Sequence, residues 1–152
     1  MAFLSSLNIP LSGLTAERFR MDIISQNIAN AYDVATTPDE VYKRQMVVYG
    51  EDKTFKNIIR TKLGSGEIWQ HKYIKYRGVQ AMQVVEDPTP AEPVYNPRHP
   101  LADEFGYVYE SNVDQAVEQM DAIQASDSYT AIANVYDVVL AMANKGLTIG
   151  KS

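Results

Sequence analysis

A chain of 152 residues with 14 basic and 19 acidic side chains, a net charge of -5 and a pI near 5.0 has room for one ordinary domain, or for a small globular body with helical extensions. The acidic balance argues against a nucleic-acid partner, because phosphate binding relies on clustered Lys and Arg. With no cysteine there is neither a disulfide nor a thiolate metal site, and no window approaches the roughly twenty apolar residues that a membrane span requires.

Residues 1–14 lack a basic head, an uninterrupted apolar core and a clear cleavage site, which makes them a poor signal peptide. Pro10 is expected to interrupt any helix begun before it. Residues 11–30 contain no proline and one glycine, Gly13, so a helix of about five turns is expected there, with Ser12 or Thr15 available to cap it. Leu7, Leu11, Leu14, Met21 and Ile28 fall on a repeat that lays one narrow apolar seam along such a helix, interrupted by Arg18 and Ser25. Asn27 and Asn30, at its end, read as capping and turn residues.

Residues 33–40 form a polar loop, and residues 42–49 then alternate as a strand does. Residues 58–63 suggest a short strand and Gly64-Ser65-Gly66 a turn. Residues 67–76 read as a strand, with residues 79–85 as its hairpin partner after Gly78. The basic cluster at residues 72–77 is diluted by Tyr73, Ile74 and Tyr76 and reads as one face of a strand. Five of the seven prolines, Pro88, Pro90, Pro93, Pro97 and Pro100, then define an extended connector at residues 88–100. Residues 105–109 are expected to rejoin the β-rich body.

From residue 112 to 149 the chain reads as one helix of roughly ten turns, with Asn112 as N-cap and Asp114 and Glu118 near its positive end. Ile132, Val135, Val139, Met142, Gly146 and Ile149 form its apolar seam. An upstream stripe, Val113, Val117 and Met120, is out of phase with that seam, as at a stutter near residues 125–128. The expected fold class is α+β: long terminal α-helices forming a coiled-coil-like pair, with a small β-rich domain between them. The segments are residues 1–31, residues 32–110 and residues 111–152. The apolar stripes suit either a helical hairpin within one chain or burial against other subunits. The length of the second helix beside so small a middle favours the latter.

Little in the chain suggests chemistry. His71 and His99 lie far apart without an oriented carboxylate, so each reads as structural rather than catalytic or metal-binding. In the pairs Glu86-Asp87 and Asp103-Glu104, neighbours on an extended chain point to opposite faces, which does not aim an acid and a base at one bond. Gly64-Ser65-Gly66 lacks the Lys of a phosphate loop, and a Ser65, His71, Asp87 triad has no nucleophile-elbow motif behind it. No catalytic residue, cofactor or metal is expected.

Several motifs carry a resemblance to a known family. They are Ser25-Gln26-Asn27-Ile28-Ala29-Asn30-Ala31, Tyr42-Lys43-Arg44, and Gly78-Val79 leading to Glu86-Asp87-Pro88. The most specific stretch is Val94-Tyr95-Asn96-Pro97-Arg98-His99-Pro100-Leu101-Ala102-Asp103, followed by Gly106-Tyr107-Val108, Asn112-Val113 and Met120. With these the chain resembles the bacterial flagellar axial proteins, the rod and hook family, and within it the proximal rod members; the match spans almost the whole chain.

The resemblance implies a non-enzymatic structural subunit of the flagellar basal body. It would be exported unfolded through the flagellar type III apparatus without a cleaved signal, and its terminal helices would be poorly ordered until assembly. Its partners would be copies of itself, other rod subunits, the export apparatus and the basal-body base, in a helical assembly in the periplasm. The expected interface is Leu7, Leu11, Leu14, Met21, Asn27, Ile28, Asn30, Ile132, Val135, Val139, Met142 and Ile149. A soluble coiled-coil adaptor or secretion chaperone is the competing reading.

Overall fold

The computed structural model describes residues 7–54 and 75–149. The chain order is helix α1 (Asn8–Ala29), strands β1 (Val34–Ala35), β2 (Gln45–Thr54), β3 (Lys75–Glu86), β4 (Glu92–Tyr95) and β5 (Tyr107–Glu110), and helix α2 (Gln115–Ile149). The two helices pack on each other within one chain, and the sheets lie between them in sequence.

Helix α1 starts before the proline, contrary to expectation. Pro10 sits in its first turn, where the missing N–H has no helical carbonyl to meet, so the ring costs nothing there. Ser12 and Thr15 do not cap. Their hydroxyls donate back to the carbonyls of Ile9 and Leu11 at 2.6 and 3.0 Å. Asn30 does end the helix, but with φ at -105° rather than in a left-handed conformation.

Strands β2 and β3 form an antiparallel ribbon from Gln45 opposite Glu86 to Thr54 opposite Lys75, with register shifts after Val48 and Glu51. The partner of residues 79–85 is therefore β2, and Gly78 lies inside a strand rather than in a hairpin turn. A side chain there would strike Ser12, and its φ of +120° suits only glycine. The approach is used: the Val79 amide donates to Ser12 Oγ at 3.1 Å, tying the ribbon to the start of α1. The strand expected at residues 58–63, the turn at 64–66, and all of the 67–76 strand before Lys75 lie outside the described residues.

The second sheet is three-stranded, in the order β1-β5-β4, all antiparallel. Residues 88–100 are thus more than a connector. Pro93 sits in β4 opposite Tyr109, and β4 is an edge strand, where a missing donor leaves no ladder bond unmade. Residues 107–110 become the central strand.

The helices run antiparallel, with Asn27 beside Glu118, Arg20 beside Asp121 and Gln124, and Gly13 against Ile132. On α1, the line facing α2 is Gly13, Arg20 and Asn27; on α2 it is Glu118, Ala125 and Ile132. Each repeats every seventh residue. Ala125 is fully buried and Glu118 likewise, whereas Val117 and Met120 are exposed. The α2 line keeps one phase through residues 125–128. The apparent stutter came from counting Val117 and Met120 as inward, when small and polar residues occupy that side.

Candidate functional site

The best-defined cluster of side chains ties both helices to the β2–β3 ribbon. Asn27, 1% exposed, accepts from the Tyr42 hydroxyl at 2.8 Å and the Gln45 amide at 3.0 Å. Its Nδ2 donates to the Gln45 carbonyl at 2.9 Å and to Glu118 Oε2 at 3.0 Å. A side chain expected to cap a helix is instead a buried hub that uses both of its polar atoms twice. The difference is positional, because Asn27 lies two residues before the helix ends and faces inward.

Around this hub Arg44 makes the charged contacts. Its Nε donates to Glu118 Oε1 at 2.6 Å and its Nη2 to Asp121 Oδ2 at 2.9 Å, while Asp87 Oδ2 lies 3.9 Å from Nη1. Arg20 of α1 reaches the other Asp121 oxygen at 3.3 Å. Glu118 is fully buried but not orphaned, since one oxygen meets the guanidinium and the other the Asn27 amide. Burial alone would lower the Arg44 pKa. The hydrogen bond and charge of Glu118, with Asp121 and Asp87, outweigh it and hold the pKa above its ordinary value. The Tyr42 hydroxyl is pushed up by burial first, then by the charges of Glu118 and Glu86, so it stays a donor to Asn27.

Asn112 does not cap α2. Its Oδ1 accepts from the Arg44 amide at 2.7 Å and its Nδ2 donates to the Thr89 carbonyl at 2.9 Å, which fastens the proline-rich segment to the residue just before β2. The cap is Asp114, whose Oδ1 accepts from the amides of Ala116 at 2.8 Å and Val117 at 3.3 Å. Helix α2 accordingly begins at Gln115.

Apart from Asn27, the hub itself, and Ile132 and Val139, which continue the inward α2 line, the expected interface residues lie off this clasp. Leu7, Leu14, Met21 and Ile28 are half-buried and Leu11 is exposed; their line lies one residue, about 100°, round α1 from Gly13, Arg20 and Asn27. On α2, Ile132 and Val139 are half-buried, whereas Val135 and Met142 are 54% and 61% exposed. Ile149 ends α2, and Asn30 is half-exposed with its amide donating to the Gln26 carbonyl at 2.8 Å. The expected set is therefore split: Asn27 and Ile132 work inside the chain, while Leu11, Val135 and Met142 present apolar surface to solvent. Sequence reading missed Arg44, Glu118 and Asp121 as partners; their only signal was an acidic residue at an inward position on each of two successive turns of α2. His99 serves its own loop, its Nδ1 accepting from the Leu101 amide at 3.2 Å, and His71 lies outside the described residues.

Comparison with known proteins places this arrangement. Residues 7–32, which span α1 and its exit, match the family model described as flagella basal body rod protein. The chain is 33% identical to the flagellar basal-body rod protein FlgC of Bacillus subtilis strain 168, over 99% of this chain and 100% of that one. It is 34% identical to FlgC of Escherichia coli O157:H7 over the same shares, and 30% to FlgC of Borreliella burgdorferi over 98% of each. The chain belongs to the flagellar basal-body rod protein family. Its role in that family is structural, as a subunit of the flagellar rod, and the adaptor or chaperone reading has no support. Within this rod subunit the clasp joins the two helices to each other and to the start of β2. No described helix is long and apolar enough to cross a membrane.

Proposed function

We propose that this rod subunit builds the proximal rod, joining copies of itself and other rod proteins in a helical array that transmits torque around the export channel. The observation that carries this reading is the apolar surface left on α2 after it has packed on α1. Val135, Val138 and Met142 are all more than half exposed, and they share a side of the helix distinct from the Glu118, Ala125, Ile132 line. Exposed apolar stripes of this kind mark sites of association, and heterologous contacts between such stripes propagate helically. Leu7, Leu11, Leu14, Met21 and Ile28 supply the corresponding side of α1, while the half-buried Val139, seven residues after Ile132, continues the inward line of α2.

Within one chain the α1–α2 seam is coiled-coil-like, supported by the seven-residue spacing on both helices. The absence of cysteine and the modest core suit export as an unfolded chain through the type III apparatus, without a cleaved signal, to the periplasmic rod. The test is Val135→Asp. Because the side chain is half in solvent, the isolated variant should keep its stability to within about 0.5 kcal/mol. In the rod the same carboxylate would be buried without a partner at every joint, so cells carrying only this variant should lose motility and rods while still exporting the protein. Normal rods and swimming would refute the proposed interface.

A further inference from the structure

Helix α2 turns its more apolar side away from the rest of the chain. Over residues 117–128 its inward side carries Glu118, Asp121, Ala122, Ala125 and Ser128, all buried or half-buried. Val117, Met120 and Ile123 face solvent instead, Met120 at 72% exposure. At about 100° per residue these three lie on the side that continues into Val135, Val138 and Met142. The result is one apolar stripe along most of the helix, roughly 120° round from the line that meets α1.

Hydrophobic burial by itself favours the opposite rotation, because moving a valine, isoleucine or methionine out of water is favourable and burying a carboxylate is not. Among the described elements α2 packs extensively on α1 alone, so no third element holds the stripe outward. The cap at Asp114 accepts from amides of its own helix and does not set the rotation either.

The bonds that reach residues 118–124 come from two separate directions. From α1, the Asn27 amide donates to Glu118 Oε2 at 3.0 Å, and Arg20 Nη2 donates to Asp121 Oδ1 and Gln124 Oε1 at 3.3 Å each. From the segment before β2, Arg44 donates to Glu118 Oε1 at 2.6 Å and to Asp121 Oδ2 at 2.9 Å. A single bond would let α2 swivel about it. Here each carboxylate is held through both oxygens by donors on two different parts of the chain, so turning the helix breaks every one of these bonds together.

We infer that this clasp is a conformational selector: it decides which side of α2 faces α1, and it holds outward an apolar stripe that burial alone would turn in. The stripe includes residues assigned above to assembly, but the selection is a property of the isolated chain and is tested without that assignment. Buried polar groups that select a packing have a recognisable signature. Replacing the partners together by apolar residues keeps or raises stability, yet releases the alternative packing.

The triple variant Arg44→Met, Glu118→Leu, Asp121→Ala removes the charged partners together, while Asn27 keeps Gln45 and Tyr42 and Arg20 keeps Glu17. The chain has no cysteine of its own, so introduced thiols report the rotation without background. Gly13→Cys with Ile132→Cys marks the present face, since a Cβ at Gly13 lies 3.2 Å from Ile132 Cδ1. Met120→Cys, alone, marks the stripe. With the clasp intact, the Gly13→Cys/Ile132→Cys pair should close to an intramolecular disulfide and Met120→Cys should react rapidly with a water-soluble maleimide. In the triple variant the melting temperature should match or exceed the parent's, while disulfide closure and labelling at position 120 should each slow at least about tenfold. An unchanged closure rate or unchanged labelling overturns the inference. So does a triple variant that no longer unfolds cooperatively, because the clasp would then be needed for the fold itself rather than for the choice of face.

Discussion

Replacing Asn27 with Ala removes one side chain and four hydrogen bonds, two accepted and two donated, from a site that is 1% exposed. A typical bond contributes about 1 kcal/mol net, and a buried polar group left without a partner costs about 1–3 kcal/mol. The losses do not sum fully, because Tyr42 and Gln45 are half-buried and water can reach part of the vacated site. Glu118 keeps Arg44 on its other oxygen. The expected net loss is about 3–4 kcal/mol, which for a chain of this length lowers the melting temperature by about 10 °C. Thermal unfolding of the isolated chain, followed by circular dichroism, measures it. Asn27→Asp is the sharper companion: it sets a second carboxylate against Glu118 at a position now held by a donor 3.0 Å away, so its stability at neutral pH should fall further and recover as acid protonates one of the two. An Asn27→Ala protein that melts within about 2 °C of wild type would refute the clasp as the joint between the helices, and would show that α1 packs on α2 only in the assembled rod.

Gly78→Ala should cost about 1–3 kcal/mol in urea unfolding, because φ +120° is strained for alanine and its Cβ strikes Ser12, the side chain that joins β3 to α1. The pH dependence follows from Asp87, whose carboxyl is held below its usual range by hydrogen bonds from the Thr89 hydroxyl and amide, with Arg44 adding to them. A carboxyl with a depressed folded pKa contributes stability above its unfolded pKa of about 3.9 and loses it as pH falls through the lower folded value, so Asp87→Asn should flatten the acid limb of the stability curve below about pH 5. Denaturant midpoints measured across that range decide it.

The elements themselves were legible in the residues. Periodicity located both helices, alternation located β2, and the aromatic segment at residues 105–109 marked the return to a sheet, because helix and strand repeats are properties of a local window. The residues also carried the family, through motifs such as Tyr95-Asn96-Pro97-Arg98-His99-Pro100. Which face of each helix turns inward was not legible. The apolar seam through Leu7, Leu14, Met21 and Ile28 sits one residue from the line that meets α2, and Met120 points to solvent while Glu118 is buried. Hydrophobicity reports a side chain's transfer to an apolar medium, but this seam is closed by glycine, alanine, an asparagine with four hydrogen bonds and a paired carboxylate. Those residues become favourable inside only when Gln45 arrives from a strand and Tyr42 and Arg44 from the segment just before it. Asn27 is a helix cap by local rule and a hub by long-range geometry, and Pro93 breaks a strand by local rule but sits in one that happens to be an edge. Local chemistry determined what this chain is made of and the family it belongs to. Contacts between residues tens of positions apart decided which surfaces hold the subunit together and which stay exposed.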